Sequence, residues 1–182
     1  MNETTPNQPA AFQPAPHITH QLETPLGLVT FRKESAGDAT FLLDLFRSHT
    51  LPALAAAPID AAMQEALVRM QFTSQTNTYR SQYPGARFTI IERNGTPAGR
   101  LVVHETGDSA CIVDLALQPD SRGAGFGSAV LGAVLQELAE RVTVVHCSVM
   151  WNNQASLRML RRLGFVQATG DPPFLRMQWR RP

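Results

Sequence analysis

The segment LQPDSRGAGFGSAVLGAVL, residues 117–135, constrains the fold more than any other stretch of the chain. Glycines stand at alternate positions 123, 125 and 127, directly after an apolar run and directly before an apolar pattern of helical period. A glycine-rich turn of this kind leaves the first N–H groups of the helix free, and the missing Cβ atoms let an anion approach them. It therefore demands a strand, a tight turn and a helix in succession, and points to a phosphate-bearing ligand.

The flanking sequence supplies the rest of an α/β fold. LGLVTFRK (26–33) is rich in β-branched and aromatic residues and reads as a strand. In SAGDATFLLDLFRSH, Ser35 and Asp38 have capping-box spacing, and Phe41, Leu42, Leu45 and Phe46 share one helical face. The prolines of TLPALAAAP break that helix, and a second begins near Ile59 with Met63, Ala66, Leu67 and Met70 as its inward stripe. RFTIIER and PAGRLVVHE flank Asn94-Gly95, a type I′ signal that makes them antiparallel neighbours. ACIVDLAL (110–117) is the next strand, ended by Pro119. The helix after the glycines runs to about Arg141, with Val130, Leu131, Val134, Leu135 and Leu138 inward and Gln136, Glu137 and Glu140 outward. VTVVHCSVM is a further strand, a last helix spans about Asn153–Leu163 and stops at Gly164, and FVQAT and FLRMQW form a closing hairpin. The predicted order β α α β β β α β α β β is a mixed α/β sandwich around a βαβ unit.

A chain of 182 residues is long enough for one domain with a full core. Its 16 basic and 15 acidic side chains leave a net charge of +1, which argues against a protein that coats nucleic acid or an anionic membrane. No apolar run reaches the length of a membrane span. Residues 1–17, MNETTPNQPAAFQPAPH, lack the basic and apolar regions of a leader and read as a disordered tail before a single domain at 18–182. Cys111 and Cys147 form no CxxC pair, so they read as reduced thiols of a cytoplasmic protein. His104 and His146 lie in predicted strands with no second ligand at metal spacing, and no metal site is expected.

Three phosphate-binding templates compete for the turn. A P-loop needs a Lys that the segment lacks, and a dinucleotide fingerprint has Ser128 where its third glycine belongs and no acidic residue in VTVVHCSVMWNN. The third fits. Arg122-Gly123-Ala124-Gly125-Phe126-Gly127 resembles the pyrophosphate loop Gln/Arg-x-x-Gly-x-Gly/Ala of the GNAT acyltransferase superfamily. One strand later, NNQASLRMLRRLGF resembles that family's helix pattern, with Asn153, Ser156, Leu160, Gly164 and Phe165 in register.

The resemblance implies the GNAT fold, a mixed sheet with two splayed parallel strands, and an N-acetyltransferase that moves an acetyl group from acetyl-CoA to a primary amine by direct attack. It implies that the amides from Gly123 to Ser128, including those of Ala124, Gly125, Phe126 and Gly127, cradle the pyrophosphate with help from Arg122. Backbone groups at Leu115 and Leu117 would pair with the pantetheine arm, and an N–H near Leu117 would hold the oxyanion. Asn153 would touch the cofactor or fix its helix. Asp114, mid-strand in an apolar run, is the candidate base, and Ser156 the candidate acid, since the position where many family members carry a proton-donating Tyr is Leu160. Arg158, Arg161 and Arg162 would reach the 3′-phosphate of CoA or simply form a solvated helix face. Gln71, Phe72, Gln75, Tyr79 and Tyr83 would line the acceptor pocket or pack as a core stripe. The acceptor, a small molecule or a peptide amine, stays open, as does homodimerisation through FLRMQW. The rival reading is an acyl-CoA-binding sensor or interaction domain without turnover.

Overall fold

In the computed structural model residues 21–24, 27–55 and 57–182 are described, so the expected tail at 1–17 lies outside them. Strands β1 (Leu22–Thr24), β2 (Gly27–Lys33), β3 (Arg87–Arg93), β4 (Thr96–Thr106), β5 (Ser109–Leu117), β6 (Val144–Met150), β7 (Val166–Thr169) and β8 (Phe174–Arg180) form one sheet in the order β1-β2-β3-β4-β5-β6-β8-β7. Asn94 (φ 52°) and Gly95 (φ 78°) make the left-handed turn between β3 and β4 that their sequence predicts. Strands β5 and β6 are parallel, joined by helix α3 (Phe126–Leu138), which supplies the required crossover.

One face of the sheet carries the main core. Leu101 and Val103 of β4 and Ala110 and Ile112 of β5 pack there with Phe126, Val130, Leu131 and Val134 of α3 and Leu157 and Leu160 of helix α4 (Gln154–Arg162). The alternate residues of the same strands face helices α1 (Ala39–Leu54) and α2 (Ala61–Gln82), where Leu42, Leu45, Val68, Ile90 and Val102 are buried.

Several sequence expectations are corrected. The short strand β1 precedes the first expected one and pairs with β2, antiparallel. Helix α1 continues through Pro52, because a proline withholds only its own N–H while Ala55 N–H still donates to Leu51 O at 2.9 Å. In α2 the buried position is Val68, whereas Met63 and Met70 are 52% and 60% exposed. Glu137 is not outward: it is buried against Arg87 of β3 (2.8 Å) and Arg141 (2.5 Å). FLRMQW is not a free edge either, since β8 lies between β6 and β7. Among the described residues no helix is long and apolar enough to cross a membrane.

Candidate active site

The site begins where two strands part. β5 pairs with β6 only from Ser109–Val144 to Ile112–Cys147, and beyond that point nothing bridges them. On its other side β5 stays paired to β4 through Gly99–Leu117. The carbonyl of Ala116 points at β4, 2.5 Å from where a Cβ on Gly99 would stand, so alternation turns the backbone groups of Leu115 and Leu117 into the gap. Of these groups Leu117 O accepts from Arg122 Nε at 2.9 Å.

An irregularity in the β4–β5 register aims the side chains. Val103 pairs with Ile112 but Val102 pairs with Asp114, leaving Val113 as an extra residue. Ile112 therefore enters the core while Asp114 points to the opposite face, and Leu115 and Leu117 return to the core side. A carboxylate in an apolar strand is tolerated because the strand changes step just before it.

The glycine turn sits at the mouth of this gap, at the N-terminus of α3. Gly123 (φ 81°), Ala124 (φ 42°) and Gly125 (φ 83°) are all left-handed, and a Cβ on Gly123 or Gly125 would meet nothing within 4 Å. The amides of Gly123, Ala124, Gly125, Gly127 and Ser128 have no backbone partner among the described residues, whereas Phe126 N–H donates to Gly123 O. Five free donors, open space and the positive end of a 13-residue helix suit a pyrophosphate. The two inner residues play other parts: the Phe126 side chain is fully buried in the core, and a Cβ on Gly127 would lie 3.3 Å from Leu117 Cδ1 and Met159 Sδ, so that glycine serves helix–strand contact.

A cavity of about 720 Å³ runs from this turn to the face covered by α1 and α2. It brings together Asp114, Leu115, Leu117, Arg122, Gly123, Gly125, Gly127, Ser128, Asn153 and Ser156. Ala124 and Phe126 do not line it. Arg158 and Arg162 do, so with Arg122 one end of the cavity is cationic; Arg161 does not. Asn153 Oδ1 accepts from Ser156 N–H at 3.1 Å, which makes Asn153 the N-cap of α4. Leu160 is buried in the core and offers no donor to the cavity.

At the other end Arg100, buried on β4, donates to Asp114 Oδ2 from Nε (2.9 Å) and Nη2 (2.6 Å), and from Nη2 to Gln75 Oε1 at 3.0 Å. Tyr79 lies under the same guanidinium, 5.7 Å from ring centroid to Cζ, and burial pushes its phenol up to about 12. Gln75 and Tyr79 thus meet the site directly. Phe72 instead packs on Phe46, Tyr83 on His104, and Gln71 is exposed.

The two thiols are unsuited to nucleophilic work: burial raises that of Cys111 and pushes that of Cys147 up to about 12. No cluster of three or more His, Cys, Asp or Glu side chains suited to a metal occurs among the described residues.

Two titratable cavity residues escape the sequence reading, Arg100 and His49. Each is a single polar residue without a local motif, and its partners lie on other elements. Arg100 was detectable only as a charge at an alternate position of an apolar strand.

Comparison with known proteins bears on the family and the fold. The model of the acetyltransferase (GNAT) family matches residues 57–165. The ribosomal protein bS18-alanine N-acetyltransferase of Escherichia coli K12 is 30% identical over 80 residues, 43% of this chain and 54% of that protein. The chain thus spans about half the length of the curated relatives it matches. Among solved structures, the PaiA N-acetyltransferase from Thermoplasma acidophilum in complex with coenzyme A has a TM-score of 0.64 at 17% identity, covering 84% of this chain and 98% of that one. The Escherichia coli ribosomal-protein-S18-alanine N-acetyltransferase has a TM-score of 0.57 at 20% identity, covering 84% and 94%. At these identities the structural likeness bears on the fold.

Proposed function

The chain belongs to the acetyltransferase (GNAT) family, and from that premise we propose that it transfers an acetyl group from acetyl-CoA to a primary amine by direct attack in a ternary complex. The observation that carries the reading is the continuity of one cavity from the free amides at 123–128, past the open backbone of Leu115 and Leu117, to the carboxylate of Asp114.

Acetyl-CoA supplies the thioester carbon that the amine attacks and the thiolate that leaves. The turn from Gly123 to Ser128 binds the pyrophosphate, and Arg158 and Arg162 suit the 3′-phosphate. Leu115 and Leu117 pair with the pantetheine amides, and the Leu117 N–H stabilises the oxyanion. Asp114 has Oδ2 tied to Arg100 and no hydrogen bond at Oδ1 among the described residues, so Oδ1 draws the ammonium and takes a proton directly or through water. Ser156, at the cavity wall, protonates the thiolate through water. A cytoplasmic enzyme of one catalytic domain fits this reading.

The test is release of CoA thiol from acetyl-CoA across a panel of amines, amino acids and peptides with N-terminal alanine, the acceptor named for the bS18 relative. Acceptor-dependent release that falls in Asp114→Asn, with acetyl-CoA affinity kept, supports the reading. Binding without release for any acceptor supports the non-catalytic alternative, which the buried Leu160 favours by removing one proton donor.

A further inference from the structure

His49 stands on the stretch of α1 just before Pro52 and lines the same cavity. Its Nε2 is 3.0 Å and its Nδ1 3.4 Å from Arg122 Nη2. Arg122 is not extended toward the glycine turn: its Nε donates to Leu117 O at 2.9 Å and its Nη2 reaches Ser48 Oγ at 3.5 Å. One guanidinium therefore covers both the imidazole and a carbonyl of the open strand gap.

The residue is exposed at the cavity wall, and the charged groups that bear on the ring are Arg122 from the loop after β5, Asp114 from β5 and Arg100 from β4. Burial is the largest influence on its pKa and lowers it, Arg122 and Arg100 lower it further, and Asp114 and the Leu117 backbone oppose them. Arg122 Nη2, close to both ring nitrogens, thus sets a cation against protonation of the imidazole.

Resting on the acetyltransferase reading, we propose that His49 is a second proton acceptor of this site, masked by Arg122 until an anion at the 123–128 turn draws the guanidinium away. Arg122 immediately precedes the free amides of that turn, so a pyrophosphate there offers it two charges in place of a neutral ring and a carbonyl. Once the ring is uncovered, an ammonium N–H bond breaks, its proton bonds to the imidazole nitrogen, and the electron pair stays on the amine. Asp114 then faces the imidazolium with a compensating charge. Deprotonation of the acceptor is available only after the cofactor is in place.

The test follows the His49 ring by NMR pH titration, assigned with His49→Gln, in wild type and Arg122→Gln, each with and without CoA. Wild type without CoA titrates lowest; CoA raises it, Arg122→Gln raises it without CoA, and CoA moves the variant less than the wild type. Equal CoA-induced shifts in the two proteins, or no shift although the amides of 123–128 report saturation, overturn the masking. Absence of any amide response at 123–128 overturns the cofactor reading itself and this inference with it. In turnover, the acid limb of kcat/KM for the amine at saturating acetyl-CoA coincides in the wild type with the His49 value measured with CoA bound and is lost in His49→Gln; the same limb in both proteins overturns the proton-acceptor role.

Discussion

The guanidinium of Arg100 holds the carboxylate of Asp114 through two donors to one oxygen, with the arginine side chain 6% exposed and the aspartate 19%. The other oxygen is left to the cavity. The pair fixes the direction of the acid and satisfies the buried cation together.

Asp114→Asn keeps an oxygen for Arg100 but removes the charge. Acetyl transfer should fall by about 10²–10⁴-fold and stability by about 1.5–3 kcal/mol, with CoA affinity unchanged. Thiol release, denaturant titration and calorimetric binding check the three parts separately.

The glycines of the turn should respond differently to a methyl group. Gly125→Ala places a side chain at φ 83° and should destabilise by about 1–2 kcal/mol, besides weakening CoA. Gly127→Ala meets Leu117 and the flexible end of Met159, so its stability loss is the smaller of the two. Paired denaturation curves decide the order.

Asn153→Ala removes the cap of α4 and should cost about 1 kcal/mol, whereas Asn153→Asp should retain it. Thermal melts of the two variants give the comparison.

Glu137→Ala should be far more damaging than its place in a solvent-side pattern suggests. It takes one of two carboxylates from Arg87, whose side chain is 4% exposed, and from Arg141, leaving Glu105 to both, and should lower stability by about 1.5–3 kcal/mol. Urea titration measures it.

Asp38 should set part of the acid limit of the fold. Hydrogen bonds from Arg32 hold its carboxyl well below the usual carboxylate range against an opposing effect of burial, with Ser35 adding further donors. A folded pKa below the unfolded one means stability that is complete above about pH 4 and lost as pH falls toward the folded value. Asp38→Asn should therefore be less stable at pH 7 and show a shallower loss between pH 4 and pH 2 in denaturant titrations.

Local chemistry made much of this legible in advance. The Asn94-Gly95 turn, the Gly164 stop and the glycine segment are backbone requirements that only a few residues meet, so they are written in the chain. Strand β1 is three residues with no apolar alternation, held by pairing to β2, and nothing local announces it. Glu137 follows the outward pattern of its helix but is buried because Arg87 comes from fifty residues away. The same holds for the site: the anion-binding turn is a contiguous signal, whereas Asp114 meets Arg100 and His49 meets Arg122 only through the fold.

Val113 has a consequence beyond its own side chain. A strand counts in twos, and the single supernumerary residue decides which residues after it are read as odd and which as even. Were Val113 drawn into regular alternation, the two sets would exchange, sending the carboxylate of Asp114 among the apolar side chains and turning Leu115 and Leu117 outward, whereas deleting position 113 would leave each of them on the face it has. What this position contributes is a change of step rather than chemistry: it lets the same face of β5 carry Ala110 and Ile112 before it and Leu115 and Leu117 after it, with the carboxylate of Asp114 on the other.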